Sequence, residues 1–194
     1  MATRICVFCG SSPGARPCYS AAAAQLARYL AANRIGIVYG GAKVGLMGTL
    51  ADAALLAGGE VTGVMPRSLV EKEVAHRGLS GLRVVASMHE RKALMAELSD
   101  GFVALPGGYG TFDEFCEVLT WSQLGLHRKP CGLLNLEGYY DSLLAMFDRA
   151  VAERFLKPEH RRMVISDTHP ESLVDRLLAY EVPAVDKWIG REQT

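Results

Sequence analysis

The residues best placed to do chemistry lie in Pro106-Gly107-Gly108-Tyr109-Gly110-Thr111-Phe112-Asp113-Glu114. An apolar run, Gly101 to Leu105, leads into the glycines, and an amphipathic segment begins at Thr111. A buried strand, a tight turn and a helix N-terminus in that order aim backbone N–H groups and the positive end of the helix dipole at whatever sits above the turn. An anion is the natural occupant, and phosphate the commonest. Thr111, as N-cap or first-turn residue, would add one hydroxyl hydrogen bond. The Glu114 carboxylate would stand one turn into the helix and would repel the anion, so it is expected to face a group attached to that anion.

A second glycine-rich crossing, Gly40-Gly41-Ala42-Lys43-Val44-Gly45-Leu46-Met47-Gly48, is neither a G-x-G-x-x-G dinucleotide fingerprint nor a Walker A loop, because no G-K-[S/T] follows. Close packing of a turn against a strand would need glycine equally. Two such turns at equivalent ends of one sheet favour a ligand, with Gly41 and Lys43 as candidate phosphate contacts. Lys43 offers a mobile charge or remains solvated.

Met88-His89-Glu90-Arg91-Lys92 places cations at a helix start, against the dipole, where an anion or carboxylate must compensate. Arg91, with five donors in a rigid fork, could clamp a phosphate, orient a carboxylate or polarise a leaving group; a surface salt bridge to Glu90 or Glu97 is the structural alternative. His89 and Lys92 are less specific ligand contacts. Glu114, Glu117 and Trp121 share one helical face at spacings of three and four, with Phe115, Leu119 and Ser122 on the adjacent face toward the sheet. Two carboxylates and an indole above a phosphate turn suit a sugar and a flat base: a carboxylate accepts from ribose hydroxyls or orients water toward an anomeric carbon. Otherwise the pair is solvated and the tryptophan belongs to a core or interface. Asp113 reads as solvated or as a dipole partner.

The elements that must position these residues alternate. Strands are expected at Arg4–Phe8, Ile35–Tyr39, Val61–Met65, Leu82–Ala86, Gly101–Leu105, Cys131–Leu134 and Val164–Ile165. Helices are expected at Tyr19–Ala32, Leu46–Leu56 (ended by Gly58-Gly59), Met88–Leu98 (capped by Ser87), Thr111–Leu124, Tyr139–Phe155 and Pro170–Leu178. Pro66 to Gly81 has no clean period and reads as a functional loop. Short apolar strands alternating with helices call for an α/β fold with a mainly parallel sheet covered on both faces. Ligands in such sheets sit beyond the carboxyl ends of the strands, where all the glycine turns fall. Residues 1–182 are expected to form one domain, and Pro183 to Thr194 a peripheral tail.

Of 194 residues, 49% are apolar and 22% charged, an ordinary globular balance with zero formal net charge. Bulk electrostatics therefore disfavour a nucleic acid partner. No apolar run reaches a membrane-spanning length, and Met1 to Arg4 holds no signal-peptide core, so the expected location is cytoplasmic. Cys6, Cys9, Cys18, Cys116 and Cys131 are scattered. Cys6 and Cys9 have C-x-x-C spacing, but Cys6 falls in a strand whose alternate residues face opposite ways, and no second pair supports a metal site. Reduced structural thiols are expected, with neither metal nor cofactor.

Taken together, Pro106-Gly107-Gly108-Tyr109-Gly110-Thr111-Phe112-Asp113-Glu114 resembles the P-G-G-x-G-T-x-x-E signature of the LOG ("Lonely guy") family, the cytokinin riboside 5′-monophosphate phosphoribohydrolases. Met88 to Lys92 resembles that family's M-H-x-R-K motif, and Gly40 to Gly48 its G-G-x-x-x-G-L-M-G turn. Glu73-Val74-Ala75-His76, Thr120 to Gly125 and Lys129 to Asn135 are similar as well. The resemblance covers residues 4–180. It implies a Rossmann-like three-layer αβα sandwich, usually a homodimer, and hydrolysis of the N-glycosidic bond of adenosine or N6-substituted adenosine 5′-monophosphate. It further implies catalytic roles for Arg91 and Glu114 and phosphate binding by Gly108, Gly110 and Thr111. The ribose and base would then fall to Met88, His89, Lys92, Glu117 and Trp121.

Overall fold

The structure is a computed structural model that describes residues 3–70, 72 and 75–181. Strands β1 (Arg4–Phe8), β2 (Gly36–Tyr39), β3 (Val61–Pro66), β4 (Gly81–Val85), β5 (Gly101–Ala104), β6 (Cys131–Leu134) and β7 (Val164–Asp167) form one sheet. Its order is β4-β3-β2-β1-β5-β6-β7, and every pairing is parallel. The chain winds outward from β1 to β4, then returns to lay β5 against the other edge of β1. Val7 is thus in register with both Tyr39 and Val103. The reversal between β1 and β5 is the topological switch at which ligands bind in this class of sheet.

Helices α1 (Pro17–Ala32), α2 (Gly45–Leu56) and α8 (Pro170–Leu178) cover one face. Leu26, Leu30, Leu50, Leu173 and Leu177 pack there on Ile5, Val7 and Val103. Buried Ala22, Ala23 and Ala27 allow α1 to sit close to its neighbours. On the other face, α4 (Met88–Glu97) and α5 (Tyr109–Gln123) bury Met95, Phe115 and Val118 against Phe8, Phe102 and Ala104. This is the parallel sheet covered on both faces that the alternating pattern calls for, and the Rossmann-like three-layer αβα sandwich that the resemblance implies. Strand alternation also separates the first two cysteines: Cys9 belongs to the first core and Cys6 to the second, both as free, buried thiols.

Helix ends follow their local chemistry. Pro17 opens α1, where its missing N–H costs nothing. Gly58, at φ 75°, closes α2 while Gly59 N donates to Ala54 O at 2.8 Å. Ser87 caps α4 by accepting from Glu90 N, and the Glu90 carboxylate returns to accept from Ala86 N at 2.8 Å.

Three expectations change. The stretch from Pro66 to Gly81 is only partly loop: a four-residue helix α3 (Arg67–Val70) follows β3, and Ala75 forms an antiparallel bridge with Ala42. The long helix expected from Tyr139 to Phe155 is shorter. Glu137 and Gly138 adopt positive φ within a 3-10 turn, Leu136–Gly138, and α6 runs only from Asp141 to Ala152 before Arg154, also at positive φ, ends it. A short α7 (Pro158–Arg161) then precedes β7, which is twice as long as expected. The expected tail, 183–194, lies outside the described residues. No helix among those described is long and apolar enough to cross a membrane.

Candidate active site

The turn after β5 is held by its carbonyls. Leu105 O accepts from the Tyr140 hydroxyl at 2.5 Å, Pro106 O accepts from Gly10 N at 3.1 Å, and Gly107 O accepts from the Tyr139 hydroxyl. Gly108 is the N-cap of α5, and the first bond of the helix runs from Phe112 N to Gly108 O. The N–H groups of Tyr109, Gly110 and Thr111 therefore have no carbonyl one helical turn before them inside α5, and they point out of its N-terminus. A Cβ on Gly107 would lie 2.1 Å from Thr111 Oγ1 and 2.9 Å from Gly10 N. Only glycine lets the threonine hydroxyl fold over the turn while the β1 turn presses from behind.

The second glycine turn is tied in the same way. Gly41 O accepts from His76 N at 2.9 Å and Ala42 O from the buried Tyr39 hydroxyl at 3.3 Å. Leu46 N donates to Gly10 O at 3.1 Å, and Gly45, at φ 57°, has no room for a Cβ against Ser11. The turns after β1, β2 and β5 thus form one rigid rim.

Across this rim lies an ion pair. Arg91, on α4, donates from Nη1 to Glu114 Oε1 at 2.6 Å and from Nε to Val64 O at 3.1 Å. Its other terminal nitrogen rests on Gly40, where a Cβ would come within 2.3 Å. Both partners are 8% exposed. Burial pushes the Glu114 carboxyl above its ordinary value, opposed by the Arg91 charge and hydrogen bond. This pairing replaces the expected alternative of a surface bridge to Glu90 or Glu97.

Arg91, Glu114, Gly108, Gly110 and Thr111 all line one cleft of about 250 Å3 at the β1–β5 switch. Gly41 lies behind it, buried against Met65, and Lys43 is exposed. Met88 and His89 are exposed on the first turn of α4. Lys92 bridges α4 to α5 through Asp113 and Glu117, at 3.1 Å each. Burial alone would lower its pKa, but the hydrogen bonds to Asp113 and Glu117 raise it. Trp121 is half-buried against the second core. The Glu114–Glu117–Trp121 face is therefore divided: only Glu114 reaches the cleft.

The cleft also includes Gly10, Ser11, Gly40, Met47 and Tyr109, absent from the sequence-based candidates. Their signal was position, since each follows the carboxyl end of β1, β2 or β5. A second cavity of similar volume, between α5, α6 and α7, is lined mainly by apolar groups such as Leu119, Phe147 and Met163, and neither Arg91 nor Glu114 borders it. Among the described residues, no three of His, Cys, Asp and Glu are grouped to hold a metal ion.

Donor amides beside a buried, counter-charged carboxylate form a site for an anion with a reactive group a few ångströms away. A family model described as "Possible lysine decarboxylase" matches residues 47–177. The cytokinin riboside 5′-monophosphate phosphoribohydrolase LOG5 of Arabidopsis thaliana is 51% identical over 98% of this chain and 83% of its own length. The probable cytokinin riboside 5′-monophosphate phosphoribohydrolase LOGL9 of Oryza sativa subsp. japonica is 53% identical over 91% of this chain and 78% of its own. Among solved structures, the molybdenum cofactor binding protein from Rippkaea orientalis aligns with a TM-score of 0.71, covering 92% of this chain and 97% of that one, but at 22% identity it shares the fold alone. With half its residues identical to LOG5 along nearly its whole length, the chain belongs to the LOG family of cytokinin riboside 5′-monophosphate phosphoribohydrolases.

Proposed function

We propose that this chain hydrolyses the N-glycosidic bond of adenosine 5′-monophosphates, N6-substituted ones included, to give the free base and ribose 5-phosphate. The observation that carries the reading is the buried Arg91–Glu114 pair at 2.6 Å, in the same cleft as the N-terminus of α5. LOG5 and, as a probable enzyme, LOGL9 are phosphoribohydrolases of a cytokinin riboside 5′-monophosphate, an instance of the same reaction.

In this reading the 5′-phosphate sits on the amides of Gly108, Gly110 and Thr111 and on the Thr111 hydroxyl, with Gly41 supporting the adjoining turn and Lys43 adding charge from outside. The phosphate supplies binding energy remote from the reacting bond and fixes the ribose beside Glu114. As the bond from C1′ to the base nitrogen breaks, positive charge develops on the ribose. The Glu114 carboxylate stabilises that charge and orients the water whose oxygen adds to C1′; the base nitrogen ends up protonated. Arg91 keeps Glu114 ionised against burial, which otherwise favours the neutral acid. Met88 and His89, three and two residues before Arg91, fall to the base side, with Lys92, Glu117 and Trp121 shaping the α4–α5 wall behind it. Among the described residues no lysine borders the cleft, which gives a lysine-anchored decarboxylation no support there.

A homodimer and a cytoplasmic location complete the proposal. Supporting the first, α6 buries none of its residues fully and exposes Met146, and the exposed Phe155 lines the apolar cavity between α5, α6 and α7. Incubation with AMP, N6-isopentenyladenosine 5′-monophosphate, GMP and CMP, followed by chromatography of the released bases, tests the function. Adenine-type bases are expected to appear with an equal amount of ribose 5-phosphate. Binding without turnover would instead indicate a nucleotide sensor.

A further inference from the structure

The peptide between Gly107 and Gly108 is the freest in the phosphate turn, because neither flanking residue has a Cβ to resist rotation of the plane. Within a trans peptide the C=O and N–H point in opposite directions. One orientation gives the cleft an N–H donor from Gly108; the flipped one gives it a carbonyl oxygen, which repels an anion. Gly108 borders the cleft, whereas Tyr139 does not, and the Tyr139 hydroxyl holds the Gly107 carbonyl.

Tyr139 is itself placed with care. Asn135, at the end of β6, accepts from Tyr140 N and donates to Asp141, each at 2.7 Å. The positive φ of Glu137 and Gly138 then turns the chain back toward the β5 turn. The Tyr139 ring is flanked by Tyr19 at 6.0 Å, Phe112 at 6.4 Å and Tyr140 at 5.1 Å between centroids. Removing its hydroxyl would therefore leave the ring packed.

We propose that Tyr139 is a positioning residue for the reaction: its hydroxyl locks the Gly107–Gly108 peptide in the orientation that presents the Gly108 N–H to the substrate's 5′-phosphate. The inference rests on the reading of this turn as the phosphate site. Tyr140, which holds Leu105 O, serves a different end, since the residue after Leu105 is a proline with no N–H to present.

The test is Tyr139→Phe, assayed on a nucleoside 5′-monophosphate, on the matching riboside, and with inorganic phosphate as competitive inhibitor. Loss of one neutral hydrogen bond predicts a roughly 3- to 10-fold fall in kcat/KM for the monophosphate, mostly through KM, and a similar rise in the inhibition constant of phosphate. The riboside's kcat/KM and the melting temperature should be unchanged. A monophosphate-to-riboside ratio equal to the wild type's would overturn the proposal. So would an equal loss on both substrates with a lower melting temperature, which would make the hydroxyl purely structural. If the wild-type enzyme itself fails to prefer the monophosphate, it is the phosphate site that fails, and that outcome is visible before the variant is made.

Discussion

Replacing Arg91 with glutamine should strengthen a pH dependence of stability that already runs opposite to that of most paired carboxylates. In the native protein, burial raises the Glu114 pKa above its ordinary value of 4.5, and the Arg91 charge at 2.6 Å opposes the rise. The opposite charge of Arg91 favours the ionised carboxylate, so its loss should raise Glu114 further. Removing one partner of a buried ion pair costs about 3–5 kcal/mol while the remaining charge stays ionised, beyond any pH-independent effect. One such effect is the Val64 carbonyl losing its Nε donor. The sign follows from linkage. With the folded pKa above the unfolded one, the native state binds more protons across that window. Stability then falls as pH rises from about 4.5 through the folded pKa, and it stays low above that. Urea unfolding at intervals from pH 5 to pH 8 should therefore show the difference between wild type and variant shrinking as pH falls. A difference that stays constant across this range would refute the claim that Arg91 holds a buried, otherwise unfavourable carboxylate in its ionised form.

Glu114→Gln keeps the shape of the side chain but removes the charge that is to stabilise the ribose, so turnover should fall by roughly 10²–10⁴ while KM changes little; steady-state base release checks this, and near-full activity would remove Glu114 from its role. Gly107→Ala drives a methyl into Thr111 Oγ1 and the Gly10 amide. With backbone on one side and a buried hydroxyl on the other, the turn must shift, costing about 1–3 kcal/mol in urea unfolding, with loss of phosphate inhibition.

The pattern of apolar strands and glycine turns made the sheet legible, because a parallel sheet covered on both sides needs short, apolar strands; β2, β5 and β6 are buried throughout, and β1 departs only at Arg4, its first residue. The divergent positions of Cys6 and Cys9 also followed from strand periodicity. What the periodicity could not show was tertiary capture. Tyr139 and Tyr140 looked helical, but their hydroxyls are used on Gly107 and Leu105, and the 3-10 turn before them exists to bring them there. Glu117 and Trp121 shared a helical face with Glu114 by spacing alone. Lys92, arriving from α4, takes Glu117 as its partner and divides that face. Met47 and Ser11 reach the cleft only through the junction of α2 with the β1 turn, a contact made between segments distant in sequence.

The central claim is that a phosphate held by the α5 N-terminus presents a ribose to Glu114. The most direct measurement compares kcat/KM for adenosine 5′-monophosphate with that for adenosine. Even two of the four hydrogen bonds assigned to the phosphate, at about 1.5 kcal/mol each, favour the monophosphate by roughly 100-fold or more. Equal specificity constants would contradict the account.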